Sequence, residues 1–166
     1  MPIRPILRFP DPRLAMPAAA VEHFDADLAA LATDLLDTMR AAPGIGITAP
    51  HIGVLQRLTV IELDAASGPK TYVNPEVVWS SADTTAHAEG SVSMPGITDD
   101  VVRPRLIRVR YQTLLGDVRQ EEADGLLSIC LQHEIDQLDG IFWLQRLSRL
   151  KRERAVKRSA KQDKTR

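Results

Sequence analysis

With 166 residues, 44% hydrophobic and 26% charged, the chain has the size and composition of one globular domain with a substantial core. No apolar run approaches the roughly 18 residues that span a bilayer, and Arg4, Arg8, Asp11 and Arg13 interrupt any signal-peptide core, so neither membrane partner nor export is expected. A single cysteine, Cys130, excludes an internal disulfide framework and fits a reducing cytoplasm.

In chain order, Asp25 predicts the N-cap of a helix over 25–41, with Leu28, Leu31, Leu35, Leu36 and Met39 on one face and Pro43-Gly44 as its stop. A glycine-rich segment follows, from Gly44 to His51. Leu58 to Leu63 predicts a strand closed by a turn at Ser67-Gly68-Pro69, and Thr71–Pro75 with Val77–Trp79 predicts further extended chain. Ile107 to Thr113 alternates cleanly, and Leu115-Gly116-Asp117 turns it back into Val118–Glu122 as a hairpin. Asp124 predicts the cap of a helix to about Leu138, ended by Gly140, and Ser148 opens a last, basic helix. Strands set between helices with no repeated βαβ unit predict an α+β domain over 1–147, with 148–166 as a helical extension of it. The net charge of −1 hides an asymmetry: residues 146–166 carry a local +8 and the preceding body −9. An acidic body with a basic tail suits a polyanionic partner such as RNA; a solvated helix packed on its own domain is the plainer reading.

The chemistry concentrates in Gln132-His-Glu-Ile-Asp-Gln-Leu-Asp-Gly140. Two histidines one helical turn apart grip a metal while an intervening glutamate moves protons. Here His133 and Glu134 are in place, but the second position is Gln137, and a neutral amide is a poor ligand for a transition metal. A lone histidine on such a helix is more often a hydrogen-bonded core residue. Leu126, Ile129 and Leu138 are expected to anchor this helix, and Cys130 to serve as a small buried apolar residue rather than a ligand.

Together with two other segments this helix resembles the peptide deformylases, metal-dependent enzymes that remove the formyl group from N-terminal formylmethionine. The resemblance begins at Phe9-Pro-Asp-Pro-Arg-Leu14. It includes Gly44-Ile-Gly-Ile-Thr-Ala-Pro-His51, where the family reads Gly-x-Gly-x-Ala-Ala-x-Gln, and Glu89-Gly-Ser-Val-Ser93, where it reads Glu-Gly-Cys-Leu-Ser. It ends in the central helix, where the family reads Gln-His-Glu-x-Asp-His-Leu-x-Gly. The fold it implies packs mixed antiparallel strands around the motif-bearing helix, with helices at both ends of the chain.

By position, the resemblance puts Ser91, His133 and Gln137 where the family holds ferrous iron or zinc with one cysteine and two histidines. A serine hydroxyl does not offer the anionic ligand that a thiol does, so the inherited site is expected to be lost. Glu134 takes the general acid/base position, the backbone N–H of Val92 that of an oxyanion donor, and His51 stands where the family has its oxyanion-binding glutamine. Gly46 would pair with a peptide as an added strand, while Ile45, Leu126 and Ile129 line a methionine pocket bordered by His87 and Glu89. Three alternatives follow. One is a pseudoenzyme that binds a peptide N-terminus or a small N-acyl amino acid with no metal. A second is a working amidase whose single iron or zinc sits in a rebuilt site of His133 and His51 helped by His87 or Glu89. A third is a metal-free hydrolase using Ser91 or Ser93 with His51 or His133 as base. The resemblance also makes the basic C-terminal helix a ribosome-docking element. Nothing in the sequence sets an oligomeric state.

Overall fold

The computed structural model describes residues 3–164. Helix α1 (Ala26–Ala41) begins where Asp25 accepts the Leu28 N–H at 3.0 Å, and it buries Leu28, Leu35 and Met39. Strand β1 (Gly46–Thr48) runs into a short 3-10 turn over Ala49–Ile52, and β2 (Leu58–Ile61) pairs with β1 antiparallel. All four residues of β2 are buried because both of its faces are covered, which erases the polar–apolar alternation of a half-exposed strand. The two extended segments expected near Trp79 are one strand, β3 (Lys70–Ser80), broken by register shifts between Val73 and Glu76 and between Val77 and Trp79. Asn74, at φ 52°, sits at the first shift and is held there by bonds with both the N–H and the carbonyl of Val21.

A hairpin of β4 (Thr84–Ser91) and β5 (Met94–Pro104) forms a separate two-stranded sheet that sequence patterning does not announce. Strands β6 (Ile107–Gln112) and β7 (Val118–Ala123) form the expected second hairpin. The five-stranded sheet is antiparallel throughout, in the order β1-β2-β3-β6-β7. Helix α2 (Gly125–Leu138) lies on one face of this sheet, packing Cys130, Leu131 and Ile135 against Ile61, Tyr72, Ile107 and Val109. Helix α1 covers the opposite face through Ile47, Leu58, Val60 and Val73. A third cluster joins β5 to the C-terminal segment through Met94, Ile97, Val101, Phe142, Trp143 and Leu147.

Two local expectations are corrected. Leu126 is 39% exposed and does not anchor α2 in the core. Asp124 does stand at the N-cap position, but its side chain makes no capping bond; its carbonyl accepts the Ser128 N–H. Gly140, at φ 80°, turns the chain after α2 where an added Cβ would meet the Ala15 carbonyl oxygen at 2.9 Å, so only glycine fits. Helix α3 (Arg149–Lys164) follows Ser148, whose hydroxyl accepts the Lys151 N–H at 3.3 Å. It packs on β5 through buried Ala155, a Lys151–Asp99 ion pair at 3.6 Å and a bond from Arg158 to the Thr98 carbonyl, leaving most of its basic side chains in solvent. Among the described residues no helix is long and apolar enough to cross a membrane.

Candidate active site

A cavity of about 460 Å³ opens between the β1 end of the sheet, the β4–β5 hairpin and α2. β1 is the terminal strand of its sheet, so the edge not paired with β2 borders this space. Ile45, Gly46, His51, His87, Glu89, Ser91, Val92, Leu126, Ile129, His133 and Glu134 all line it. Of the candidate site residues named from the sequence, Ser93 and Gln137 do not line it. Gly46 approaches Glu134 so closely that an added Cβ would lie 3.1 Å from its Oε1. Ile45, 42% exposed, and Leu126 supply apolar surface at the mouth.

Beneath the cavity runs a chain of charges that reaches solvent only at Arg146. His133 Nδ1 bonds Glu89 Oε1 at 2.8 Å, and both Glu89 oxygens take hydrogen bonds from Arg103, at 2.6 and 2.9 Å. Arg103, 4% exposed, also bonds Asp136, which accepts two further bonds from Arg146. Burial alone would raise the Glu89 pKa, but the Arg103 and His133 bonds outweigh it and hold it at about 2. Burial opposes charge on His133 too, yet the Glu89 bond and the charges of Glu134 and Glu89 raise its pKa. Glu89 is thus committed to Arg103 and His133.

Glu134 faces the cavity with its Oε1 3.7 Å from His133 Nε2, while its buried Oε2 has no hydrogen-bond partner among the described residues. Burial, with the Glu89 charge, pushes its pKa up to about 7 against the opposing pull of His133 and Arg103. His51 is 1% exposed and closes the 3-10 turn in a capping box: its Nδ1 lies 2.9 Å from both the N and the Oγ1 of Thr48. Its Nε2 has no partner among the described residues, and burial, with His133 nearby, pushes its pKa down to about 3. His87 is exposed, with Nδ1 on the Ala88 carbonyl oxygen at 2.8 Å.

The three family ligand positions hold Ser91, His133 and Gln137. Ser91 Oγ accepts the Ser93 N–H at 3.1 Å, and Gln137, 2% exposed, donates its Nε2 hydrogen to the Leu14 carbonyl at 2.7 Å. One imidazole, one hydroxyl and one amide already spent on backbone do not suit iron or zinc. The rebuilt set of His133, His51, His87 and Glu89 is not assembled either: among the described residues no group of three or more His, Cys, Asp or Glu side chains is placed to hold a metal. Among the described residues, neither Ser91 nor Ser93 bonds an imidazole through its hydroxyl. Cys130 borders the cavity as well, and burial, with Glu134 and Glu89 nearby, pushes its thiol up to about 12, keeping it inert.

Sequence reasoning missed Arg103, Asp136 and Thr48. Asp136 lies inside the helical motif, but nothing local marks Arg103 in Val101-Val-Arg-Pro-Arg105 as a buried charge.

The sequence model of the polypeptide deformylase family matches residues 3–153. A "Peptide deformylase-like" protein of Rhizobium meliloti (strain 1021) is 63% identical over 161 residues, covering 97% of this chain and 94% of that one. The crystal structure of a peptide deformylase from Legionella pneumophila superposes with a TM-score of 0.93 at 40% identity, covering 99% of this chain and 97% of that one. A peptide deformylase from Synechococcus elongatus, solved in complex with actinonin, gives a TM-score of 0.91 at 34% identity, covering 96% and 89%.

Proposed function

The chain belongs to the peptide deformylase family, and from that premise we propose that it keeps the family's peptide groove without the donors for metal-dependent deformylation. The observation that carries this reading is Gln137: it does not line the cavity and its amide is tied to the Leu14 carbonyl, so the position has become part of the scaffold. Ser91 adds a second missing ligand. What remains suits binding. The outer edge of β1 offers backbone to an extended peptide, and Ile45, Leu126 and Ile129 offer an apolar surface to its first side chain. The Synechococcus elongatus deformylase, of the same fold, takes a ligand in its complex with actinonin. The natural ligand is accordingly a peptide N-terminus or a small N-acyl amino acid.

The rival reading, a working amidase, is favoured by Glu134, a buried carboxyl with a raised pKa facing the cavity where a general acid/base would stand. Metal content per chain separates the two, measured by plasma mass spectrometry on tag-free protein purified without oxygen, alongside calorimetric titration with an N-formylmethionyl peptide. The binding reading expects near-zero iron, zinc, nickel and cobalt, and peptide affinity that survives a chelator. Stoichiometric metal lost in His133→Ala, with deacylase activity lost in Glu134→Gln, would establish the amidase instead.

We place the protein in the cytoplasm, consistent with its single buried free cysteine. We also propose that the solvent-facing basic side chains of α3 dock the domain on ribosomal RNA. Co-sedimentation with ribosomes should then fall steeply with salt and vanish when residues 148–166 are removed; sedimentation indifferent to the truncation would end the idea.

A further inference from the structure

His87 differs from the other titratable side chains of the cavity. Glu89 is bonded to Arg103 and His133, and His51 and Glu134 are buried, whereas His87 lines the cavity and is exposed. His87 precedes Glu89 by two residues on β4, so both side chains leave the same face of that strand. Leu126 and Ile129 precede His133 by two turns and one turn of α2, on the helix face that carries it. The 2.8 Å bond between His133 and Glu89 brings these two faces together. The part of the cavity that would take a ligand's first side chain thus holds the His87 imidazole beside the apolar Ile45, Leu126 and Ile129.

The hydrogen bond of His87 fixes what its ring can offer. Nδ1 lies 2.8 Å from the Ala88 carbonyl oxygen. A carbonyl oxygen only accepts, so the hydrogen of this bond is on Nδ1. The neutral ring then carries its lone pair on Nε2, an acceptor with no partner among the described residues.

We propose that His87 sets the first-residue preference of the groove toward a side chain that ends in an N–H donor, a glutamine-type amide, over the thioether of methionine. The proposal rests on the groove reading above and names the side-chain chemistry of its ligand. Glutamine and methionine side chains are of equal reach, so the apolar residues can cover the stem of either. They differ at the tip. An amide N–H gives the Nε2 lone pair a donor in place of solvent. A thioether has no hydrogen to give, and covering Nε2 with it leaves an acceptor without a partner, which is the costlier outcome. A carboxylate tip is disfavoured for the same reason: it only accepts, and the hydrogen of the ring is already engaged by Ala88.

The test is calorimetric titration of the full chain in chelator at pH 8, where an ordinary histidine is neutral. The probes are N-formylglutaminyl-alanine, N-formylmethionyl-alanine and N-formylglutamyl-alanine. Wild type should bind the glutaminyl probe about fivefold more tightly than the methionyl one, the worth of one neutral hydrogen bond, and the glutamyl probe most weakly. His87→Leu should reverse the order of the first two. Imidazole ¹⁵N–¹H correlation spectroscopy should place the His87 hydrogen on Nδ1 and show the Nε2 resonance moving with the glutaminyl probe alone. A methionyl probe bound by wild type as tightly as the glutaminyl one, or a hydrogen found on Nε2, overturns the preference without recourse to any variant. A glutaminyl preference that survives His87→Leu overturns the role of His87 while the groove reading stands. If wild type binds none of the three probes, the groove reading falls and the preference with it.

Discussion

His133 and Gln137 stand one turn apart on α2, the first partly and the second fully buried, yet they are held in opposite ways. His133 is tied to Glu89, and through it to Arg103, Asp136 and Arg146, a run of alternating charges beneath the cavity. Gln137 is tied to one neutral carbonyl, that of Leu14. The difference teaches which parts of a catalytic constellation the fold itself depends on. Removing one member of a buried ion network strands the others without solvent, at a cost of several kcal/mol. A position whose partner is a backbone carbonyl can be filled by any side chain that reaches it with a donor. The family histidine is present where its partner is a buried carboxylate, and replaced where the partner is a backbone carbonyl.

The largest effect should come from cutting the network at its centre. Arg103→Met leaves Glu89 buried with its main cation gone and Asp136 with Arg146 alone, and should cost about 3–5 kcal/mol in urea unfolding. A loss below about 1 kcal/mol, the range of a surface pair, would break the comparison, because His133 would then be no more firmly wired than Gln137. The next effect is a pH dependence. The Glu89 carboxyl titrates near 4.5 when unfolded and at about 2 in the native state. The native state thus favours the charged form, and the stabilisation is fully present above pH 4.5 and lost as the pH falls through about 2. Its size at neutral pH is on the order of 3 kcal/mol. Acid unfolding followed by circular dichroism should show this slope between those values in the wild type, and Glu89→Gln should flatten it. An unchanged slope in the variant would assign the acid sensitivity to other carboxylates.

Legibility in the sequence follows the same division between local and distant partners. Helix α1, the β6–β7 hairpin, α2 and α3 could be read because caps, turn residues and periodicity act over a few neighbouring positions. The β4–β5 hairpin could not. Much of β4 is exposed and follows no alternation, and the apolar residues of β5 are buried by Phe142, Trp143 and Leu147, far along the chain. The cavity residues could be named through their motifs, but their states could not. Arg103 meets Glu89 across 14 residues and Asp136 across 33, and in the sequence it looks like one more charge in a solvated strand. The Gln137 bond spans 123 residues, so the sequence showed a missing ligand but not the scaffold contact that stands in its place.

The smallest effect is the sharpest test of that contact. Gln137→His removes the amide donor to Leu14 and leaves a buried carbonyl without its partner unless the imidazole turns the same way. It should cost about 1 kcal/mol in thermal unfolding, and it should bring no zinc affinity by itself, because position 91 remains a hydroxyl. Paired with Ser91→Cys, the same substitution supplies a thiolate and two imidazoles, and zinc should then raise the melting temperature in proportion to its excess over the dissociation constant. The single variant discriminates best. If Gln137→His is as stable as the wild type and already binds zinc, the Leu14 bond holds nothing in place and the two positions on α2 differ in sequence alone. If it is destabilised and metal-free, the amide is a structural member, and regaining the metal requires paying back the scaffold contact as well as restoring the ligands.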